Sequence, residues 1–213
     1  MSSIIYCISG MGADERVFKN LKLSGFQLKY IPWIQPLKNE EIQEYAKRMS
    51  LAITNPSPVI LGVSFGGIMA IEIAKQKNFK NIIIVSSVKS KMEIPGWMRA
   101  TGSWKLDKIL PLKPFPLINS FLNDRLGVSN EEEKKLVDDY RGKTDPVYLN
   151  WAVHQVLNWQ NEFLPNNLLH IQGSNDKIFP VKYVNATHVI NGGTHLMIYN
   201  RAAEISKIID SEV

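Results

Sequence analysis

The run Ile82-Ile83-Ile84-Val85 has no polar residue to turn toward water. Successive side chains of a strand point to opposite faces, so a run that is apolar at every position has to be covered on both sides. Short apolar or β-branched runs of this kind recur at residues 3–8, 26–31, 59–61, 81–85, 168–172 and 187–190. Helical patterns separate most of them. A short helix is expected over residues 14–21. Asn39 is expected to cap another, in which Ile42, Tyr45, Met49 and Ile53 recur at helical spacing. Further helices are expected over residues 67–77 and 201–209. Strands alternating with helices predict an α/β fold: about six mostly parallel strands with helices on both faces of the sheet.

The alternation stops near Ser87 and resumes at Leu168. From Pro95 to Pro116 the chain mixes Pro, Trp, Lys and Leu without strand periodicity. Ser129-Asn130-Glu131-Glu132 reads as a capping box opening a helix that ends near Gly142. Asp145-Pro146 opens another, with Leu149, Val153, Val156 and Trp159 along one face. Residues 88–164 are therefore expected to form a helical insertion over one end of a core built from residues 1–87 and 165–213. The insertion is too short for a core of its own and should pack on the main domain.

Composition narrows the function. The 213 residues are 45% hydrophobic, enough for one well-buried core. No apolar run approaches the roughly 18 residues that cross a bilayer, so no membrane span is expected. The start lacks a basic leader, and Cys7 is the only cysteine, which excludes an internal disulfide and a cysteine-clustered zinc site. A cytoplasmic location is expected. The balance of 25 basic against 20 acidic residues is only mildly positive, and the longest basic runs are pairs such as Lys47-Arg48 and Lys134-Lys135, so nucleic acid is not an expected partner. Lys89, Lys91, Arg99, Lys105, Lys108 and Lys113 face only Glu93 and Asp107 between residues 89 and 113. That excess reads as a solvated face, with attraction of an anionic substrate or surface as the sharper alternative.

Val59-Ile60-Leu61-Gly62-Val63-Ser64-Phe65-Gly66-Gly67 puts a serine between a buried strand and a helix, inside a G-x-S-x-G pattern. The strand must reverse into the helix within a few residues, so small neighbours are needed and Ser64 is pushed out above the sheet. The helix N-terminus behind it offers unpaired N–H groups to a developing oxyanion. The plain structural alternative is a serine that caps the helix.

A serine hydroxyl is a weak nucleophile without a neighbouring base. His170 and His188 fall inside expected strands, where a packed role suits them, and His154 falls mid-helix in the insertion. His195 follows the loop Asn191-Gly192-Gly193-Thr194 after the last strand, at the same sheet end as Ser64 if the strands are parallel. Asp176 lies in the loop after the preceding strand, where its carboxylate would orient the imidazole; an Asx-turn role is the alternative. In Ser9-Gly10-Met11-Gly12, glycines on both sides would let the Met11 N–H turn toward the site beside the Phe65 N–H.

With these four segments in the order Ser, Asp, His, the chain resembles the α/β-hydrolase superfamily over nearly its whole length outside the insertion. The resemblance implies Ser64 as nucleophile, His195 as general base and acid, Asp176 as its orienting partner, and the Met11 and Phe65 N–H groups as the oxyanion hole. It implies neither metal nor organic cofactor, and it makes the insertion a helical lid. The first loop departs from the His-Gly start common in the family, carrying Ser9 instead. The expected activity is that of a serine hydrolase cleaving a small to medium ester or thioester through an acyl-enzyme. Amide, lactone and carbon–carbon cleavage stay open, and a ligand-binding receptor on the same fold is the competing class. Trp97, Met98, Trp104, Phe115 and Phe121 are candidates either for the pocket wall or for the lid's own core.

Overall fold

The computed structural model describes residues 3–103 and 116–213. The apolar runs become β1 (Ser3–Ile8), β2 (Phe26–Tyr30), β3 (Val59–Val63), β4 (Asn81–Val85), β5 (Leu168–Gly173) and β6 (His188–Ile190). They form one sheet in the order β2-β1-β3-β4-β5-β6, with every neighbouring pair parallel. Their alternate residues divide between two cores. Tyr6, Ile8, Ile60, Ile82 and Ile84 face α1 (Ile42–Ser50) and α2 (Phe65–Ala74), while Ile5, Cys7, Leu61, Ile83 and Val85 face α7 (Met197–Asn200) and α8 (Ala202–Glu212). Helix α1 buries the stripe Ile42, Tyr45, Ala46 and Met49, whereas α2 is buried on every side from Phe65 to Ile73.

The sheet order reverses at β1, which has β2 on one side and β3 on the other. Loops leaving the carboxyl ends of strands on either side of such a reversal diverge and leave a crevice. Register brings the ends level: Ile8 lies opposite Gly62, Val63 opposite Val85, Val85 opposite Ile171, and Gly173 opposite Ile190. The segments after Ile8, Val63, Val85, Gly173 and Ile190 therefore open on one rim.

Several boundaries differ from the sequence reading. Asn39 does not cap α1; it occupies a left-handed turn with φ 58°, and the helix starts at Ile42 and stops at Ser50, before Ile53. Helix α2 begins at Phe65, because burial on all sides overrides the poor helix propensity of Gly66 and Gly67. The expected helix over residues 14–21 is a single 3-10 turn, Glu15–Phe18, capped by Asp14.

Between β4 and β5 the described residues form α3 (Gly96–Ser103), α4 (Pro116–Leu126), α5 (Glu131–Lys143) and α6 (Pro146–Leu157). Asn130, one residue later than the Ser129 start, caps α5 by accepting the Glu133 N–H at 2.9 Å, and the Glu133 carboxylate reaches back to the Ser129 N–H at 2.7 Å. Helix α6 buries Tyr148, Ala152, Gln155 and Val156, a face turned about one residue from the expected one, with Leu149 and Val153 only half-buried. Tyr148, Ala152, Val156 and Trp159 share the apolar cluster of α1 and α2. The Trp159 indole N–H also donates to the fully buried Glu72 carboxylate of α2 at 2.6 Å. Trp97 and Phe121 are exposed, Met98 packs against the core, and Trp104 and Phe115 lie outside the described residues, as do Lys105, Lys108 and Lys113.

Candidate active site

The strand-to-helix turn at Ser64 is tight because backbone approaches backbone. A Cβ on Gly62 would lie 2.2 Å from the Gly66 carbonyl oxygen, and one on Gly66 would lie 2.3 Å from the Ile8 carbonyl oxygen. Ser64 itself takes φ 54° and ψ −120°, a region side chains rarely occupy and worth about 1–3 kcal/mol of strain. Backbone and side-chain bonds hold it there. Its N–H donates to the Val85 carbonyl at 3.0 Å, and its carbonyl accepts the Gly67 N–H at 2.9 Å and the buried Ser87 hydroxyl at 2.7 Å. Ser64 makes no side-chain cap bond, so its hydroxyl is not spent on the helix.

That hydroxyl lies 2.8 Å from Nε2 of His195, whose Nδ1 lies 2.8 Å from Oδ2 of Asp176. An ionised carboxylate only accepts, so the proton belongs on Nδ1 and Nε2 is left to accept the Ser64 hydroxyl. Asp176 is 3% exposed, and four donors replace the water that burial removes. The Ile178 and Phe179 N–H groups reach Oδ1 at 2.8 and 2.9 Å, and the Gln172 amide reaches Oδ2 at 2.9 Å alongside the imidazole. Ser64, Asp176 and His195, separated by up to 131 positions, are thus one hydrogen-bonded row.

The two backbone groups singled out with them flank the row. Phe65 is the first residue of α2, directly after Ser64. Gly10 is close enough that a Cβ there would sit 3.5 Å from the Ser64 Cβ, which brings the Gly10–Met11 peptide to the same rim. Neither the Met11 nor the Phe65 N–H has an acceptor among the described residues. Ser9 donates to the Ala13 carbonyl at 2.7 Å and so closes its own loop.

Other candidates are occupied elsewhere. His170 is buried, with Nε2 3.1 Å from the Ser87 carbonyl, and burial with the nearby Lys89 charge pushes its pKa down to about 4. His188 pairs with Glu212 at 3.2 Å, and His154 Nδ1 meets the Asn158 amide at 3.2 Å. Lys89 pairs with Glu93 at 3.6 Å and Lys91 with Glu162, which answers part of the local positive charge. Cys7 is buried and its thiol pKa is raised by desolvation, the opposite of a reactive cysteine. Among the described residues no three His, Cys, Asp or Glu side chains gather as metal ligands would, and no helix is long and apolar enough to cross a membrane.

The sequence reading missed the supporting residues. Gln172 lies in β5 with nothing in its pattern to mark it. Leu126 and Gly127, at the end of α4, press on the histidine loop: the Leu126 carbonyl accepts the Leu196 N–H at 3.0 Å, and a Cβ on Gly127 would lie 2.2 Å from the Thr194 Cβ. Thr144, before α6, touches the first loop, its hydroxyl 3.2 Å from the Gly12 carbonyl. Trp33 was legible in principle, because a residue just past the carboxyl end of β2 must fall beside the loop that follows β1.

No family model and no curated protein matches the chain. Solved structures do. A lipase-esterase related protein from Clostridium acetobutylicum superposes with TM-score 0.70 at 14% identity, covering 100% of this chain and 95% of that one. An esterase from Thermogutta terrifontis gives 0.66 at 15%, covering 98% and 88%. Est816, described as an N-acyl homoserine lactone degrading enzyme, gives 0.71 at 15%, covering 100% and 94%. At such identities the likeness is one of fold, and the fold is that of the α/β-hydrolases.

Proposed function

We propose that, on this α/β-hydrolase fold, the chain is a serine hydrolase cleaving a small to medium carboxylic ester or thioester through an acyl-enzyme. The observation that carries the reading is the pair of 2.8 Å contacts linking the Ser64 hydroxyl, the His195 imidazole and the buried Asp176 carboxylate. His195 Nε2 takes the hydroxyl proton as Ser64 Oγ attacks the carbonyl carbon. The Met11 and Phe65 N–H groups stabilise the oxyanion, and Asp176 stabilises the imidazolium. Collapse breaks the bond to the alcohol or thiol, which leaves with the proton from Nε2. Water then attacks the acyl-enzyme, giving its proton to His195, and the carboxylic acid departs as Ser64 regains its proton. No step calls on a cofactor.

Support comes from the neighbours as well: structures of the same fold are described as a thermophilic esterase and as an N-acyl homoserine lactone degrading enzyme. We read residues 88–164 as an insertion over the rim, since Thr144 contacts the first loop and Gly127 the histidine loop. Substrate would enter between rim and insertion. The free, buried cysteine suits a cytoplasmic enzyme.

The test uses p-nitrophenyl acyl esters of graded chain length and a fluorophosphonate probe. Turnover by the native chain is expected to fall by about 10⁴-fold or more in Ser64→Ala and by about 10³- to 10⁴-fold in Asp176→Asn, with labelling confined to Ser64. A Ser64→Ala variant that still hydrolysed the esters at the native rate would remove Ser64 from its role.

A further inference from the structure

Trp33 follows Ile31-Pro32 at the carboxyl end of β2, the strand beside β1. Its ring stacks on Phe65, the residue after Ser64, with centroids 5.2 Å apart and planes 16° from parallel. The indole N–H is shared by the Ser9 hydroxyl and the Gly10 carbonyl, each at 3.1 Å. The same carbonyl accepts the Ala13 N–H at 3.1 Å across the turn. Two donors therefore pin one peptide oxygen.

That oxygen belongs to the peptide unit whose nitrogen is Met11. In a trans peptide the C=O and N–H point in opposite directions, so fixing the Gly10 oxygen fixes the Met11 hydrogen on the far side. Glycine at 10 leaves ψ on the near side of this peptide unrestricted by a side chain, so hydrogen bonds to its oxygen matter for its orientation. Without the indole bond, the Ala13 N–H alone would hold that oxygen.

We propose that Trp33 is the positioning residue for the oxyanion hole: its indole N–H, by holding the Gly10 carbonyl, aims the Met11 N–H at the oxygen of the tetrahedral intermediate. This rests on the serine-hydrolase reading. It also adds to the loop's own Ser9 and Ala13 bonds a source of order from the segment after β2. Trp33 touches no reacting atom. Its effect runs through one peptide plane and should be felt in the transition state, where the oxyanion exists, and little in substrate binding.

The experiment compares native protein with Trp33→Phe, which keeps a ring on Phe65 and loses the N–H. A control is Tyr30→Phe, which removes the hydroxyl 3.1 Å from Ser9 Oγ and leaves both bonds to the Gly10 carbonyl in place. Ester turnover, KM, and inhibition by an alkyl boronic acid that forms a tetrahedral adduct on Ser64 are measured. Trp33→Phe is expected to lower kcat by about 10- to 100-fold with KM changed less than about twofold, and to weaken the boronate by the same factor as kcat. Tyr30→Phe should retain kcat. Where Trp33→Phe does not fold, benzothienylalanine at position 33 keeps the fused ring and puts sulfur in place of the N–H, with the same loss expected.

Undiminished kcat in either position-33 variant overturns the role of Trp33 while the triad reading stands. So does an equal loss in Tyr30→Phe, which would point to general loosening of the loop. A native protein that neither hydrolyses esters nor takes the fluorophosphonate overturns the serine-hydrolase reading, and the positioning role falls with it.

Discussion

Beneath the elbow, His170 has one nitrogen on the Ser87 carbonyl and the other, Nδ1, buried without a partner. Burial followed by the Lys89 charge sets the pKa to about 4, below the 6.5 of a free imidazole, and outweighs the Ser87 carbonyl and the Gln172 side chain, which favour the proton. The unfolded chain therefore binds the proton first on acidification. Stability from keeping this ring neutral is complete above pH 6.5 and is lost as pH falls toward 4, amounting to about 3 kcal/mol at the low end. Urea unfolding at intervals across that window should show the decline, and His170→Asn should lack this component of the slope. Because the Ser87 hydroxyl holds the Ser64 carbonyl, the same ring also underpins the strained turn. The sequence marked His170 as a core residue through its place in an apolar run, but its partner could not be read, since Ser87 is 83 positions away.

The elbow depends on Gly62 and Gly66, where an added Cβ would meet backbone, more than on the rest of its motif. Gly66→Ala would drive a methyl into the Ile8 and Ser9 carbonyl oxygens at 2.3 and 2.4 Å, and both belong to backbone that cannot step aside. Its expected cost is more than about 3 kcal/mol, seen as a large fall in thermal midpoint or loss of folded protein. Gly10→Ala, in the facing loop after β1, makes the informative contrast, because its added carbon meets only ordinary contacts with the Ser64 Cβ at 3.5 Å and the Val63 carbonyl oxygen at 3.8 Å, and a cost under about 1 kcal/mol is expected. Pattern alone showed that small residues were needed at the turn. Which of them faces backbone and which faces space is set by how closely β1, β3 and α2 pack.

Across the whole molecule, the helical segment between β4 and β5 is attached to α2 by specific polar bonds as well as apolar contact. Glu72 is fully buried in α2, with Lys75 and the Trp159 indole N–H both at 2.6 Å from the same oxygen. Removing the indole N–H leaves this buried carboxylate with Lys75 as its one partner and takes away a hydrogen bond to a charged group. Trp159→Phe is expected to destabilise the protein by about 2–3 kcal/mol by denaturant titration, with Ser64 still open to fluorophosphonate labelling under native conditions. Aromatic contacts add to this attachment: Trp151 of α6 lies 4.2 Å from the Tyr45 ring of α1, centroid to centroid.

Periodicity and turn chemistry were enough to specify the sheet, because a run apolar at every position has only one kind of place to go, and a strand-turn-helix with glycine at the right offsets has few backbone solutions. The order of Ser64, Asp176 and His195 along the chain was likewise legible, since each follows a recognisable strand. What tertiary structure alone decided is how those loops are held: the four donors around Asp176, the Gly127 contact behind His195, and the indole that pins the Gly10 carbonyl. Such contacts join residues remote in sequence, and their energy depends on distances of a few tenths of an ångström, which are fixed only when the strands pair in register and the helices close over them.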